Sequence, residues 1–158
     1  MKCHKMPDSS WLIVLNRGEK IVENLAEFCR QENILSGSFN AIGAVNQVEM
    51  AHFDPVKKHY SYKMMNGALE IVSLNGNISR LEGKSVPEAD PFRRGRPASG
   101  GGDIVVHSHI AVSAEDMLCY GGHLKEATVA VICEIALIDY KTKVIRAFDK
   151  EIGLNLIQ

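Results

Sequence analysis

Aromatic residues are scarce, 6% of the chain with a single tryptophan, and neither sign of charge is in excess. Eighteen Lys and Arg stand against 19 Asp and Glu, a net charge of −1, which excludes coating of nucleic acid or an anionic membrane by bulk charge. Apolar runs are short. Val129 to Cys133 falls far below the roughly 20 residues that span a bilayer. Met1-Lys2-Cys3-His4-Lys5 carries charge but no apolar stretch before Pro7, so no signal peptide is expected. The four cysteines (Cys3, Cys29, Cys119, Cys133) are scattered without a Cys-x-x-Cys pair. Free thiols in a reducing cytoplasm are the expectation. There is no Gly-x-Ser-x-Gly nucleophile elbow, and Gly100-Gly101-Gly102 lacks the Lys-Ser/Thr of a phosphate-binding loop.

What is present is ordinary globular usage, 46% hydrophobic and 23% charged over 158 residues, which excludes disorder and predicts one domain over residues 1–158. Trp11 to Leu15 is an apolar run of strand length. Ile21, Val22, Leu25, Phe28 and Cys29 then share one helical face, predicting a helix over about Glu19 to Glu32, capped by Asn16 and ended by Asn33 and Gly37. Strands follow at Phe39–Val45, Val48–Phe53, Tyr60–Met64, Leu69–Leu74, Ile104–Val112, Met117–Tyr120, Thr128–Ile138 and Val144–Phe148. Gly43, Asn46 and the turn Asp54-Pro55 break the series, and Asp139 to Thr142 reads as a hairpin connection. One early helix and many strands joined by short gaps predict an α+β fold, a mainly antiparallel sheet with one main N-terminal helix packed on it.

His107-Ser108-His109 falls in a predicted strand, where side chains two apart share a face about 7 Å apart along the chain. His123 follows a Gly121-Gly122 pair that permits close backbone approach. Three imidazoles suit an open zinc site or another divalent ion, with affinity expected to fall as pH drops through about 6.5. A His-x-His strand can equally be a plain polar face. Glu126, three residues past His123, could orient a ligand or take a proton; a solvated turn is the plainer reading. Glu70, amid apolar neighbours, needs a partner if it faces inward, and otherwise lies on the surface.

Leu81 to Asp103 is rich in Gly, Pro and Arg and reads as a long mobile loop. Within it, next to Arg93 of the same basic cluster, the tetrapeptide Arg94-Gly95-Arg96-Pro97 matches the core of an AT-hook, whose two arginines enter a narrow A·T minor groove. A solvated basic loop, or a lid whose arginines hold a substrate carboxylate, gives the same composition.

Several motifs occur together in order: Asn40-Ala41-Ile42-Gly43-Ala44-Val45, Phe53-Asp54-Pro55, Leu69 through Ile78, His107-Ser108-His109 and Gly121-Gly122-His123-Leu124. From about Trp11 to Phe148 the chain resembles the plants-and-prokaryotes conserved (PPC) domain. The resemblance implies an α+β fold, a homotrimer, and a metal, usually zinc, held by His107, His109 and His123. Plant members carry an AT-hook beside the domain and bind DNA. In this chain the Arg-Gly-Arg-Pro lies inside the domain, just before His107. The fold is also similar to that of acetolactate decarboxylases. Two functions stay open: a trimeric metal-containing module that contacts A·T-rich DNA or acts as a regulator, and a small zinc enzyme acting on an oxo-acid or ester bound at the metal.

Overall fold

The computed structural model describes residues 1–82 and 104–158. The elements run β1 (Lys2–Lys5), β2 (Ser10–Asn16), α1 (Ile21–Gln31), β3 (Gly37–Asp54), β4 (His59–Leu81), β5 (Ile104–Ser113), β6 (Cys119–Asp139), β7 (Ile145–Asp149) and β8 (Leu154–Ile157). Arg93, Arg94, Gly95, Arg96 and Pro97 lie outside the described residues, as does the rest of the expected loop beyond Glu82.

The eight strands form one sheet in the order β1-β2-β6-β3-β4-β7-β8, and β5 pairs with both β4 and β6. Strands β3, β4, β5 and β6 therefore pair in a closed cycle. All pairings between named strands are antiparallel except β4 with β7, in agreement with the expected α+β architecture.

Three expected breaks are absent. Gly43 and Asn46 interrupt pairing registers inside one 18-residue strand, β3, rather than ending it. Two predicted strands merge into the 23-residue β4. Gly121 and Gly122 lie within β6, so His123 sits in a strand, brought opposite His109 by the short antiparallel return from Ser113 to Cys119. The glycines are there because β6 is flanked closely on both sides at this point. A Cβ on Gly121 would stand 2.9 Å from the Ile110 carbonyl oxygen, and one on Gly122 3.0 Å from that of Ala51.

Asp139 to Thr142 is not a hairpin. The chain turns there with Lys141 at φ 56° and the Asp139 carboxylate accepting the Lys141 N–H at 2.8 Å. It then crosses to lay β7 parallel to the end of β4, pairing Arg80 with Ile145 and Leu81 with Arg146. The turn at Asp54 behaves as its sequence suggests, with Asp54 Oδ1 accepting the N–H groups of Val56 and Lys57.

Helix α1 buries Ile21, Val22, Leu25, Ala26, Phe28 and Cys29 against the sheet, the stripe its spacing predicts. Trp11 meets Phe28 edge to face at 5.0 Å. The helix is shorter than expected and follows two strands. Glu19 is held back by accepting the Asn16 N–H at 2.6 Å, and Lys20 is extended and bridges to Thr128. At the other end Asn33 adopts φ 53°, and Ile34 donates to the Cys29 carbonyl, which closes the helix. The core continues through Ile13, Leu15, Val45, Leu74, Ile78, Val129, Ile135 and Leu137, all at most 1% exposed.

Candidate metal centre

The site is a product of register. His109 of β5 lies opposite His123 of β6, and His123 is also opposite Ala51 of β3. Ala51 in turn pairs with Tyr62 of β4. Directly opposed residues share a face of the sheet, so this row runs Tyr62, Ala51, His123, His109 across four strands. His107, two residues before His109, joins the same face.

The three imidazoles form a near-equilateral group, with ring centroids 5.5 Å (His107–His109), 5.2 Å (His107–His123) and 5.6 Å (His109–His123) apart. Each offers one ring nitrogen, and the three nitrogens lie within 4.8 Å of one another. Among the described residues no Cys, Asp, Glu or further His joins the group. Its depth is graded: His123 is buried, His107 half-buried and His109 exposed.

Burial, then the charge of Arg146 and of His109, pushes His107 down to about 4. Burial, followed by the neighbouring imidazoles, pushes His123 down to about 3. Both rings are therefore neutral at pH 7, with a lone pair to give a metal. Protonation would compete with an ion held by these two rings only well below the 6.5 expected of a free imidazole.

Residues that sequence reasoning did not single out complete the surroundings. Tyr60 packs its ring 5.7 Å from that of His123, and Phe53 and Tyr62 extend the aromatic wall at 4.9 and 6.2 Å from Tyr60. On the opposite side Asn75 pairs with His109 and Asn77 with His107. Arg146 of β7, only 5% exposed, reaches in with Nη2 3.2 Å from His107 Nδ1. The alternation Tyr60-Ser61-Tyr62 was a readable strand face. Arg146 carried no signal, because 39 residues separate it from His107.

The two carboxylates are placed elsewhere. Glu70 is exposed on β4 opposite Ser113, roughly 13 Å along β5 from His109 by the strand rise. Glu126 is neither a solvated turn nor a ligand-orienting group. It lies in β6 and accepts the N–H groups of Val22 (2.8 Å), Glu23 (3.1 Å) and Ala127 (2.9 Å), so it caps α1 from the sheet. Asn16, the expected cap, does not fill that role, and Lys20 supplies no side-chain cap.

The family model of the Plants and Prokaryotes Conserved (PCC) domain matches residues 5–141. Three solved structures align with the chain over nearly its whole length. A candidate DNA-binding protein from Bacteroides thetaiotaomicron shares 29% identity at a TM-score of 0.82, over 99% of this chain and 96% of its own. A metal-containing protein from Archaeoglobus fulgidus shares 29% at 0.79, over 100% and 99%. A plant- and prokaryote-conserved protein from Pyrococcus horikoshii shares 27% at 0.76, over 94% and 90%. The likeness to alpha-acetolactate decarboxylase of Bacillus subtilis strain 168 is weaker, 12% identity at 0.49, too distant to carry chemistry across. No curated protein matches the chain.

Proposed function

The chain belongs to the Plants and Prokaryotes Conserved domain family, and from that premise we propose that it is a self-associating protein that binds one divalent metal ion, zinc or a similar ion, through His107, His109 and His123. The observation that carries the reading is the convergence of three ring nitrogens within 4.8 Å, two of them on imidazoles kept neutral by burial. The donor set fits: neutral imidazoles are ligands for zinc and its neighbours, and three of them leave a coordination position for a small ligand. A bound ion would supply Lewis acidity to that ligand. Tyr60 and Tyr62 would then border it on one side and Asn75 and Asn77 on the other. The metal-containing relative from A. fulgidus supports the metal assignment. Elemental analysis of purified protein tests it: one ion per chain is expected, lost in His107→Ala and His123→Ala. Undiminished metal in both variants defeats the reading.

Self-association is supported by an apolar strip on the sheet. Ile42 is 61% exposed, Val72 53%, Val131 70% and Ile132 40%. Ile42 pairs with Glu134, two residues along β6 from Ile132, and Val72 falls in the register shift of β4 where Ile42 sits on β3. A strip of this kind is costly in water and is covered when subunits meet. The family resemblance supplies the number three, and light scattering that finds a monomer at micromolar concentration refutes it.

The DNA reading rests on Arg93 and Arg94-Gly95-Arg96-Pro97 and on relatives described as candidate DNA-binding proteins. One such cluster neutralises about three phosphates, which gives weak, salt-sensitive contact unless several subunits act together. A preference for A·T-rich over G·C-rich duplex that survives moderate salt and is lost in Arg94→Ala/Arg96→Ala supports it. Equal binding that vanishes with salt rejects it. The enzyme reading, turnover of an oxo-acid or ester at the metal, has lost its acid–base candidates, since Glu126 is a helix cap and Glu70 lies out of reach.

A further inference from the structure

The guanidinium of Arg146 is built into the fold. Its Nε donates to Ser79 Oγ (2.8 Å), Nη1 to the Asn155 carbonyl (3.0 Å) and Nη2 to Asn77 Oδ1 (3.0 Å). These partners belong to β4 and β8, so three acceptors on two strands fix the fork before anything binds. Nη2 also stands 3.2 Å from Nδ1 of His107.

Arginine has donors and no acceptor, and it does not lose its proton in proteins. The contact is a hydrogen bond only if Nδ1 of His107 carries the lone pair. In a neutral imidazole the proton then sits on Nε2. We propose that Arg146 is a positioning residue that locks His107 in the Nε2–H tautomer and so opposes its use as a metal ligand until the two part. The inference rests on the metal reading above for its consequence, but not for the tautomer itself.

The consequence follows from counting lone pairs. If His107 ligates through Nδ1, the ion takes the lone pair that Arg146 uses. If it ligates through Nε2, the proton moves to Nδ1 and faces an arginine N–H, donor against donor. Either route breaks the contact, so Arg146 weakens metal binding. Loading also releases an Nη2 hydrogen beside the site, where it can be offered to a ligand oxygen. Asn77 links the same Nη2 to the strand opposite His107, so the change is passed to β4.

The first test needs no variant. Long-range ¹⁵N–¹H correlation spectra of the metal-free full chain at neutral pH assign the protonated nitrogen of His107, using His107→Gln to identify its signals. An Nε2–H tautomer is expected, and an Nδ1–H tautomer overturns the proposal whether or not the protein binds metal. The second test titrates Zn²⁺ against a chromophoric chelator competitor for wild type, Arg146→Met and Arg146→Lys. Losing a hydrogen bond to a charged donor predicts Zn²⁺ binding at least about tenfold tighter in Arg146→Met, with Arg146→Lys between the two. Unchanged or weaker binding in a variant that keeps dispersed amide signals overturns it. Absence of Zn²⁺ binding to wild type refutes the metal assignment, and the tautomer spectrum then decides the role of Arg146 separately.

Discussion

Glu126 gives the sharpest test of how this sheet holds its helix. Helix α1 begins without a side-chain cap of its own, and the carboxylate of Glu126, more than 100 residues away, accepts two of its first N–H groups. Glu126→Ala leaves those donors without an acceptor at a partly buried helix start. Losing a cap costs roughly 0.5–2 kcal/mol, and hydrogen bonds to a charged group sit at the upper end of the range. The positive end of the helix dipole adds to the loss. Against this, burial raises the carboxyl above its usual range, more than its three backbone donors lower it, so ionising Glu126 inside the fold has a cost. The net expectation is about 2 kcal/mol of lost stability, a fall of roughly 4–8 °C in Tm for a chain of this length. Glu126→Gln keeps one acceptor oxygen and places an amide N–H against the backbone donors, so about half that loss is expected. The pH dependence has a definite sign. A carboxyl whose folded pKa is raised contributes its stability fully below the unfolded value near 4.5 and loses it as pH rises through the folded value. The gap between wild type and Glu126→Gln should therefore narrow as pH rises from 4.5 toward 7. Urea unfolding followed by circular dichroism, at several pH values in that range, measures both effects. A Glu126→Ala protein within 0.5 kcal/mol of wild type, with its helical signal intact, would refute the capping argument.

Three further outcomes are expected. Ser108, 2% exposed between the two site histidines, has an Oγ with no hydrogen-bond partner among the described residues; Ser108→Ala should be neutral or gain up to about 1 kcal/mol in urea unfolding, and a clear loss contradicts this. Gly76→Ala would set a Cβ 2.5 Å from the His107 carbonyl oxygen and 2.6 Å from the Phe39 ring, so it should destabilise by roughly 1–3 kcal/mol and weaken Zn²⁺ binding; a variant with wild-type Tm and Kd would show the β4–β5 contact to be slack. The metal-free protein should lose stability as pH falls below about 6.5, the unfolded imidazole value, and continue to do so toward about 4 for His107 and about 3 for His123, because the unfolded chain takes up those protons first. Unfolding midpoints in EDTA at pH 7, 5.5 and 4.5 follow the decline, which should flatten in His107→Ala and His123→Ala; an unchanged slope in both contradicts it.

Much of the molecule was legible without coordinates. The apolar stripe Ile21, Val22, Leu25, Phe28 and Cys29 could only be a helix face, and it is buried as one. His107 and His109 at strand spacing had to share a side of the sheet, and the glycines before His123 announced a close approach. These are local facts: periodicity, side-chain alternation and steric allowance act within a few residues. Tertiary structure decided what local rules could not reach. The glycines that look like breaks in β3 and β6 are strand residues because neighbouring strands leave no space for a Cβ. Glu126 serves a helix start and Arg146 a histidine because pairing among distant strands brings them there, at separations of 104 and 39 residues. A side chain's partner is set by three-dimensional register, and a sequence records register only where the chain turns straight back on itself.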